Sequence, residues 1–131
     1  MSQTDTPVAI PVEGTEQEAP YWAVITTSGA VQWHHGRPTY DDLNAAVGGY
    51  LEGVPTRDAS GALDEGYTAY CNEEGKLKRL PHNPAATRFT RIAGDVLVGP
   101  VVIVGPPDDE GDDTPMPADI RLRLAAEVAN A

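Results

Sequence analysis

The sequence predicts an α+β fold: a small antiparallel or mixed sheet with one or two helices packed on it. Three observations carry that prediction. Short runs of aromatic and β-branched residues are joined by tight turns, as in YWAVITTSGAVQWHH from Tyr21 to His35. Between and after them lie segments whose apolar residues recur at helical spacing behind good N-cap residues. The resulting order, β-β-α-β-β-α-β-α with hairpins and no internal repeat, suits segregated strands and helices rather than a doubly wound sheet. A small half-open barrel is the alternative.

The folded part is expected to begin near Tyr21, with two strands joined around Ser28-Gly29. Thr39 then caps a helix, with Asp42 three residues on in capping-box spacing. Leu43, Ala46, Val47 and Tyr50 form its apolar stripe, and Gly48 or Gly49 stops it in the left-handed conformation. The segment from Tyr50 to Val54 reads as the strand leaving that helix. In GYTAYCNEEG, Tyr67, Ala69 and Cys71 alternate with Thr68, Tyr70 and Asn72, the period of a half-buried strand. Asn83-Pro84 starts a short helix, asparagine as N-cap and proline where its missing donor costs nothing. GDVLVGPVVIVG, Gly94 to Gly105, is the most apolar run and reads as a central strand, or a pair broken at Gly99-Pro100. Last, Ile120, Leu124 and Val128, with Ala125 beside them, make an amphipathic terminal helix.

A chain of 131 residues is about one ordinary domain. We divide it into a disordered acidic tail over 1–20, a single α+β domain over 21–106, an acidic Pro-rich linker over 107–116 and a helix over 117–131. The net charge of −11 is uneven. Residues 1–19 hold four acids and no base, residues 20–107 nine acids and seven bases, and residues 108–131 seven acids and two bases. DDEGDD, Asp108 to Asp113, is therefore read as a solvated linker kept extended by like-charge repulsion. The nearly balanced core argues against an acidic nucleic-acid mimic, which needs its charge ordered on one rigid face. Direct binding to DNA is disfavoured by the same negative field. No apolar run is long enough to span a membrane and the N-terminus has no signal-peptide pattern, so a cytoplasmic protein is expected. The single Cys71 leaves no internal disulfide and no cysteine-rich metal site.

Residue by residue, catalysis finds little support. His34 and His35 are neighbours on a strand and point to opposite faces, which rarely suits one metal. His82 with either of them and Asp95 has no recognised spacing. Cys71 sits in apolar alternation without an adjacent base, the setting of an inert thiol. Asp41-Asp42, Asp64-Glu65 and Glu73-Glu74 are sequence neighbours that diverge in space, so a two-carboxylate site is not indicated. No cofactor or metal is expected.

One stretch does cluster charge. Lys76, Lys78, Arg79, Arg88 and Arg91 place five of the nine bases within sixteen residues, around a helix start at Asn83. Helix-start donors, Thr87 and the Arg88 guanidinium would then make Lys76, Lys78, Arg79, Asn83, Thr87 and Arg88 a ligand- or partner-binding surface for an anion. The competing reading pairs these bases with Glu73, Glu74 and Asp95, which leaves a solvated turn.

Three blocks, AAVGGYLEGV (Ala45 to Val54), AYCNEEGKLKRLPHNPAAT (Ala69 to Thr87) and IAGDVLVGPVVIVG (Ile92 to Gly105), resemble the family of domain of unknown function 3846. The resemblance spans roughly Trp22 to Gly105, with both ends departing from the family's pattern. It implies a source in bacterial phages and mobile elements, notably of actinobacteria and firmicutes, and a host cytoplasm; it brings no reaction, cofactor or site residue. The expected function is a non-enzymatic phage-type accessory protein that binds a host protein or a small anionic ligand, in host takeover or counter-defence. A small enzyme acting on a nucleotide or protein is the alternative, with the nucleic-acid mimic behind it. The terminal stripe, which must be buried somewhere, suggests a homodimer through that helix.

Overall fold

The computed structural model describes residues 19–129. Its elements follow the expected order: β1 (Trp22–Ile25), β2 (Val31–His34), α1 (Tyr40–Val47), β3 (Leu51–Gly53), β4 (Thr68–Asn72), α2 (Pro84–Thr90), β5 (Val101–Val104) and α3 (Ala118–Ala129). The five strands form one antiparallel sheet in the order β2-β1-β5-β4-β3, so the fold is α+β with β2 and β3 at the edges rather than a barrel. The expectation for the acidic tail falls on residues 1–18, outside the described residues.

β5 reads VVIV, and all four residues are buried, as are all four of β1 beside it. A strand covered on both faces needs no polar alternation. Ala23, Ile25, Val101 and Ile103 face one core with α2 and α3, while Trp22, Val24, Val102 and Val104 face a second core with α1. The molecule is thus three layers deep. Only residues 101–104 of the long apolar run are strand, because Gly99 takes φ 74° and Pro100 brings no N–H to the ladder.

α1 starts as its sequence demands. The Asp42 amide donates to Thr39 Oγ1 at 3.0 Å, and the Thr39 amide donates to Asp42 Oδ2 at 2.8 Å. Leu43 and Val47 carry its buried face, and Gly48 ends it at φ 81°. Tyr50, expected as the fourth member of the stripe, lies past that end and is 69% exposed. Gly49 has a separate reason: a Cβ there would stand 2.9 Å from Asn72 Nδ2. That amide donates to Val47 O at 3.0 Å, while Asn72 Oδ1 accepts from the Glu74 amide at 2.7 Å. Asn72 therefore ties β4 to the end of α1.

α3 packs inside its own chain. Ile120 and Leu124 are buried in the core shared with β1, β5 and α2, so these two residues of the stripe are covered by the chain itself. The side chain of Val128 lies outside the described residues. Arg123 sits over the rings of Phe89 and Tyr67, at 4.8 and 5.5 Å from their centroids, and pairs with Asp64 at 3.4 Å. Arg121, 2% exposed, donates to Met116 O at 2.8 Å.

The acidic run is not extended. Asp108 opens a tight turn in which its amide donates to Asp112 O, the Gly111 amide donates to Asp108 O, and the Asp112 amide donates to Asp108 Oδ1, each at 2.9 Å. The segment is held on the sheet by Tyr21 Oη donating to Asp113 O, Tyr70 Oη donating to Asp113 Oδ1, and the Met116 amide donating to Tyr21 O, with Met116 buried. Asp108, Asp109, Glu110 and Asp112 face solvent, where screening limits their repulsion, and anchoring prevails. Gly105 is what lets the segment return so closely: a Cβ there would lie 2.2 Å from Pro115 O. The same turn occurs at Thr26 to Ala30 and at Asp58 to Ala62, with Gly29 and Gly61 at φ 92° and the leading side-chain oxygen accepting the fifth residue's amide. No helix among the described residues is long and apolar enough to cross a membrane.

Candidate functional site

Asn83, the pivot of the anticipated anion surface, is 0% exposed. Its Oδ1 accepts the Ala86 amide at 3.0 Å, and its Nδ2 donates to Ile25 O at 2.9 Å and Gly99 O at 2.8 Å. Both of its N–H donors are used, so the buried side chain has none to offer an anion. Thr87 is likewise engaged, donating to Asn83 O at 2.8 Å and accepting the Leu97 amide at 2.9 Å. Both residues build the fold.

The bases separate. Lys76 bonds to Asp95, Lys78 lies 3.7 Å from Glu74, and Arg88 pairs with Glu127 of α3 at 2.7 Å. Arg79 holds a left-handed backbone at φ 57° with its side chain exposed. The pairing alternative, with Glu73, Glu74 and Asp95 as partners, thus describes Lys76 and Lys78, whereas Arg88 takes Glu127 instead. Exposed pairs of this kind contribute about 0–1 kcal/mol each. The clustering in sequence does not become a convergence of free cations in space.

What the same stretch does build is one wall of a groove of about 370 Å³ at the β3–β4 end of the sheet. β3 and β4 contribute Glu52, Gly53 and Cys71, with Val54 just after β3; the 73–80 turn contributes Lys76 and Leu77; the loop before β5 contributes Ile92, Asp95, Val96 and Leu97. Apart from Pro55, every lining residue lies within the three blocks Ala45 to Val54, Ala69 to Thr87 and Ile92 to Gly105. These blocks lock together by close approaches. A Cβ on Gly75 would meet Val98 Cγ2 at 2.9 Å, and one on Gly99 would meet Leu80 Cδ1 at 2.7 Å. Leu77, 84% exposed, and Val96, 42% exposed, stand at the groove as apolar surface open to solvent.

The groove's reactive groups are quiet. Burial pushes the Cys71 thiol up to about 11, Glu52 and Asp95 add to this, and Lys76 opposes it. A thiol so placed is almost wholly protonated at neutral pH and is a poor nucleophile. The hydrogen bond from Lys76, then that from the Val96 amide, hold the Asp95 carboxyl below its ordinary range. Asp95 therefore stays ionised and Lys76 stays engaged. His82 forms a backbone bridge to Val98 and does not line the groove; His34 stacks on Trp22 at 4.2 Å, near the opposite sheet edge. Neither lines the groove with Cys71. Asp108, Glu110 and Asp112 place carboxylate oxygens within 4.8 Å of one another on the exposed acidic turn. That turn contributes no residue to the groove lining.

The profile of the family described as Domain of unknown function (DUF3846) matches residues 9–129. The chain belongs to this family. The match runs well past Trp22 to Gly105 at both ends, which corrects the expectation that the ends depart from the family's pattern. The DUF3846 domain takes in the acidic turn and α3, as the burial of Met116, Ile120 and Leu124 in its core requires. Neither a curated protein nor a solved structure matches the chain.

Of the groove, the sequence offered Cys71, Lys76 and Asp95 as separate oddities. Leu77 and Val96 were missed. A signal existed: both are large apolar residues beside charged ones in turn-like sequence, where burial is not assured.

Proposed function

We propose that this DUF3846 protein is a non-enzymatic accessory protein that binds a protein of its bacterial host in fixed stoichiometry through the groove beside β3. The reading rests chiefly on one observation: the groove combines exposed Leu77 and Val96 with a protonated thiol and an internally paired lysine, a surface that can adhere but has no activated nucleophile or base. A small anion is a poor fit, because Glu52, Glu73 and Asp95 face a single base, Lys76, around the opening. The ordered acidic turn covers only residues 108–113, too short a row to imitate a nucleic-acid backbone. The phage and mobile-element setting implied by the family resemblance makes host takeover or counter-defence, in the host cytoplasm, the natural context for such binding.

The test is a pull-down with the full-length tagged chain from a bacterial host extract, followed by reconstitution from purified components and measurement of the complex mass. We expect one protein at equal stoichiometry, bound at least tenfold more weakly by Leu77→Asp and Val96→Asp, and unaffected by Lys78→Gln with Arg79→Gln and Arg88→Gln. Turnover of a nucleotide by the purified chain, or a complex indifferent to both groove variants, contradicts the reading.

A further inference from the structure

We infer that the partner is held by strand addition, an extended segment of another protein pairing with the free edge of β3 and setting a lysine or arginine opposite Glu52. This rests on the binding reading above and specifies its mode.

The backbone parity of β3 is fixed on both sides. The Glu73 amide donates to Tyr50 O and the Val54 amide donates to Ala69 O, both at 2.9 Å, with Glu52 opposite Cys71 between them. Residues 50, 52 and 54 therefore turn their N–H and C=O groups inward to β4, and Leu51 and Gly53 turn theirs outward. Those four outward groups have no partner among the described residues. They repeat at the two-residue spacing of a ladder, about 6.8 Å. Gly53 offers no side chain, nothing lies within 4 Å of where its Cβ would be, and both Glu52 and Gly53 are exposed, so approach is open.

Charge selects the occupant. A second copy that satisfied all four groups would pair Leu51 with Gly53 and set Glu52 directly against Glu52, which like-charge repulsion disfavours. The chain's own first nineteen residues hold four acids and no base, so the same field repels them. The lining acids Glu52, Glu73 and Asp95 outnumber Lys76, and Asp95 already holds Lys76. A basic residue opposite Glu52 reverses the penalty, and apolar residues two places away on that face lie nearest the groove with Leu77 and Val96.

The experiment selects a displayed random 12-residue peptide library against the full chain and measures the affinity of the recovered peptides. The expected binders are short β-branched or aromatic runs carrying Lys or Arg. Gly53→Pro removes an outward N–H that β4 does not use, so it should weaken them at least tenfold, and Glu52→Lys should move the selection toward Asp or Glu. If Gly53→Pro fails to fold, amide hydrogen exchange on the unaltered chain decides the same question: the Leu51 and Gly53 amides become protected with peptide bound. Peptides that bind while those amides stay unprotected, or that are indifferent to Gly53→Pro in a folded variant, overturn strand addition and leave the binding reading standing. A selection that returns no basic binders also overturns it.

Discussion

Asn83 concentrates more of the fold in one side chain than any other residue of the 73–91 stretch. Its carbonyl caps α2, and its amide nitrogen bridges Ile25 O, 58 positions away, to Gly99 O. Asn83→Ala should cost about 2–4 kcal/mol, a lost cap plus two buried carbonyls left unpaired, read as a shift of the urea midpoint at unchanged slope. Asn83→Asp keeps the cap acceptor and loses both donors, so it should fall short of full rescue. The cap was legible in the sequence because N-cap, proline and helix are contiguous. The second half of the amide's work was not, since a strand carbonyl 58 positions away leaves no local pattern. Cys71 gives the second prediction at this scale. With its thiol pushed up from 9.0 to about 11, its reaction with iodoacetamide at pH 8 should be roughly a hundredfold slower than that of an exposed cysteine peptide. A rate within about threefold of the peptide's would mean that the groove opens far more than its geometry indicates.

Among the elements, α3 shows what periodicity can and cannot say. The spacing of Ile120 and Leu124 revealed an apolar face, but a period carries no information about what covers that face; here it is the chain's own core rather than a second copy. Leu124→Ala should therefore destabilise the domain by about 2–5 kcal/mol, measured by urea unfolding, without altering its mass in solution. A variant that changed the oligomeric state at unchanged stability would support the dimer reading. The turns teach a different lesson. TTSGA, DASGA and DDEGD share an oxygen-bearing first residue and glycine at the fourth, the chemistry of one repeated turn, and this was available in the sequence. It was hidden by charge: DDEGDD reads first as repulsion, and only the anchoring by Tyr21, Tyr70 and Met116 shows the segment to be packed. Gly105→Ala should be severely destabilising, because its Cβ would fall 2.2 Å from Pro115 O.

For the whole molecule, the titrating groups set a pH window. Tyr67 and Tyr70 are pushed up from 10.0 to about 12, first by burial, with Asp113 also raising Tyr70. A raised pKa means protons held more tightly in the folded state, so this stability is fully present below pH 10 and is lost as pH rises through about 12. Asp42, Asp58 and Asp95 shift the other way through hydrogen bonds from Thr39, Ser60 and Lys76, so their contribution is present above 3.8 and lost as pH falls below it. These carboxyls are fully exposed, and the alkaline loss should be the larger. Thermal midpoints across pH should therefore be nearly flat in the middle range and fall between 10 and 12, a fall that Tyr70→Phe reduces. The order of strands and helices along the chain followed from sequence pattern because each element is locally consistent; the groove did not, since it exists only where three distant blocks meet around Gly75 and Gly99. The proposed partner docks at that meeting place. The most direct measurement is amide hydrogen exchange by mass spectrometry on the full chain, alone and with the host protein it retains in equal amount. Slowed exchange over 50–55, 71–77 and 92–98 is the predicted result, and slowing confined to other segments, the acidic turn at 108–113 or α3, would contradict it.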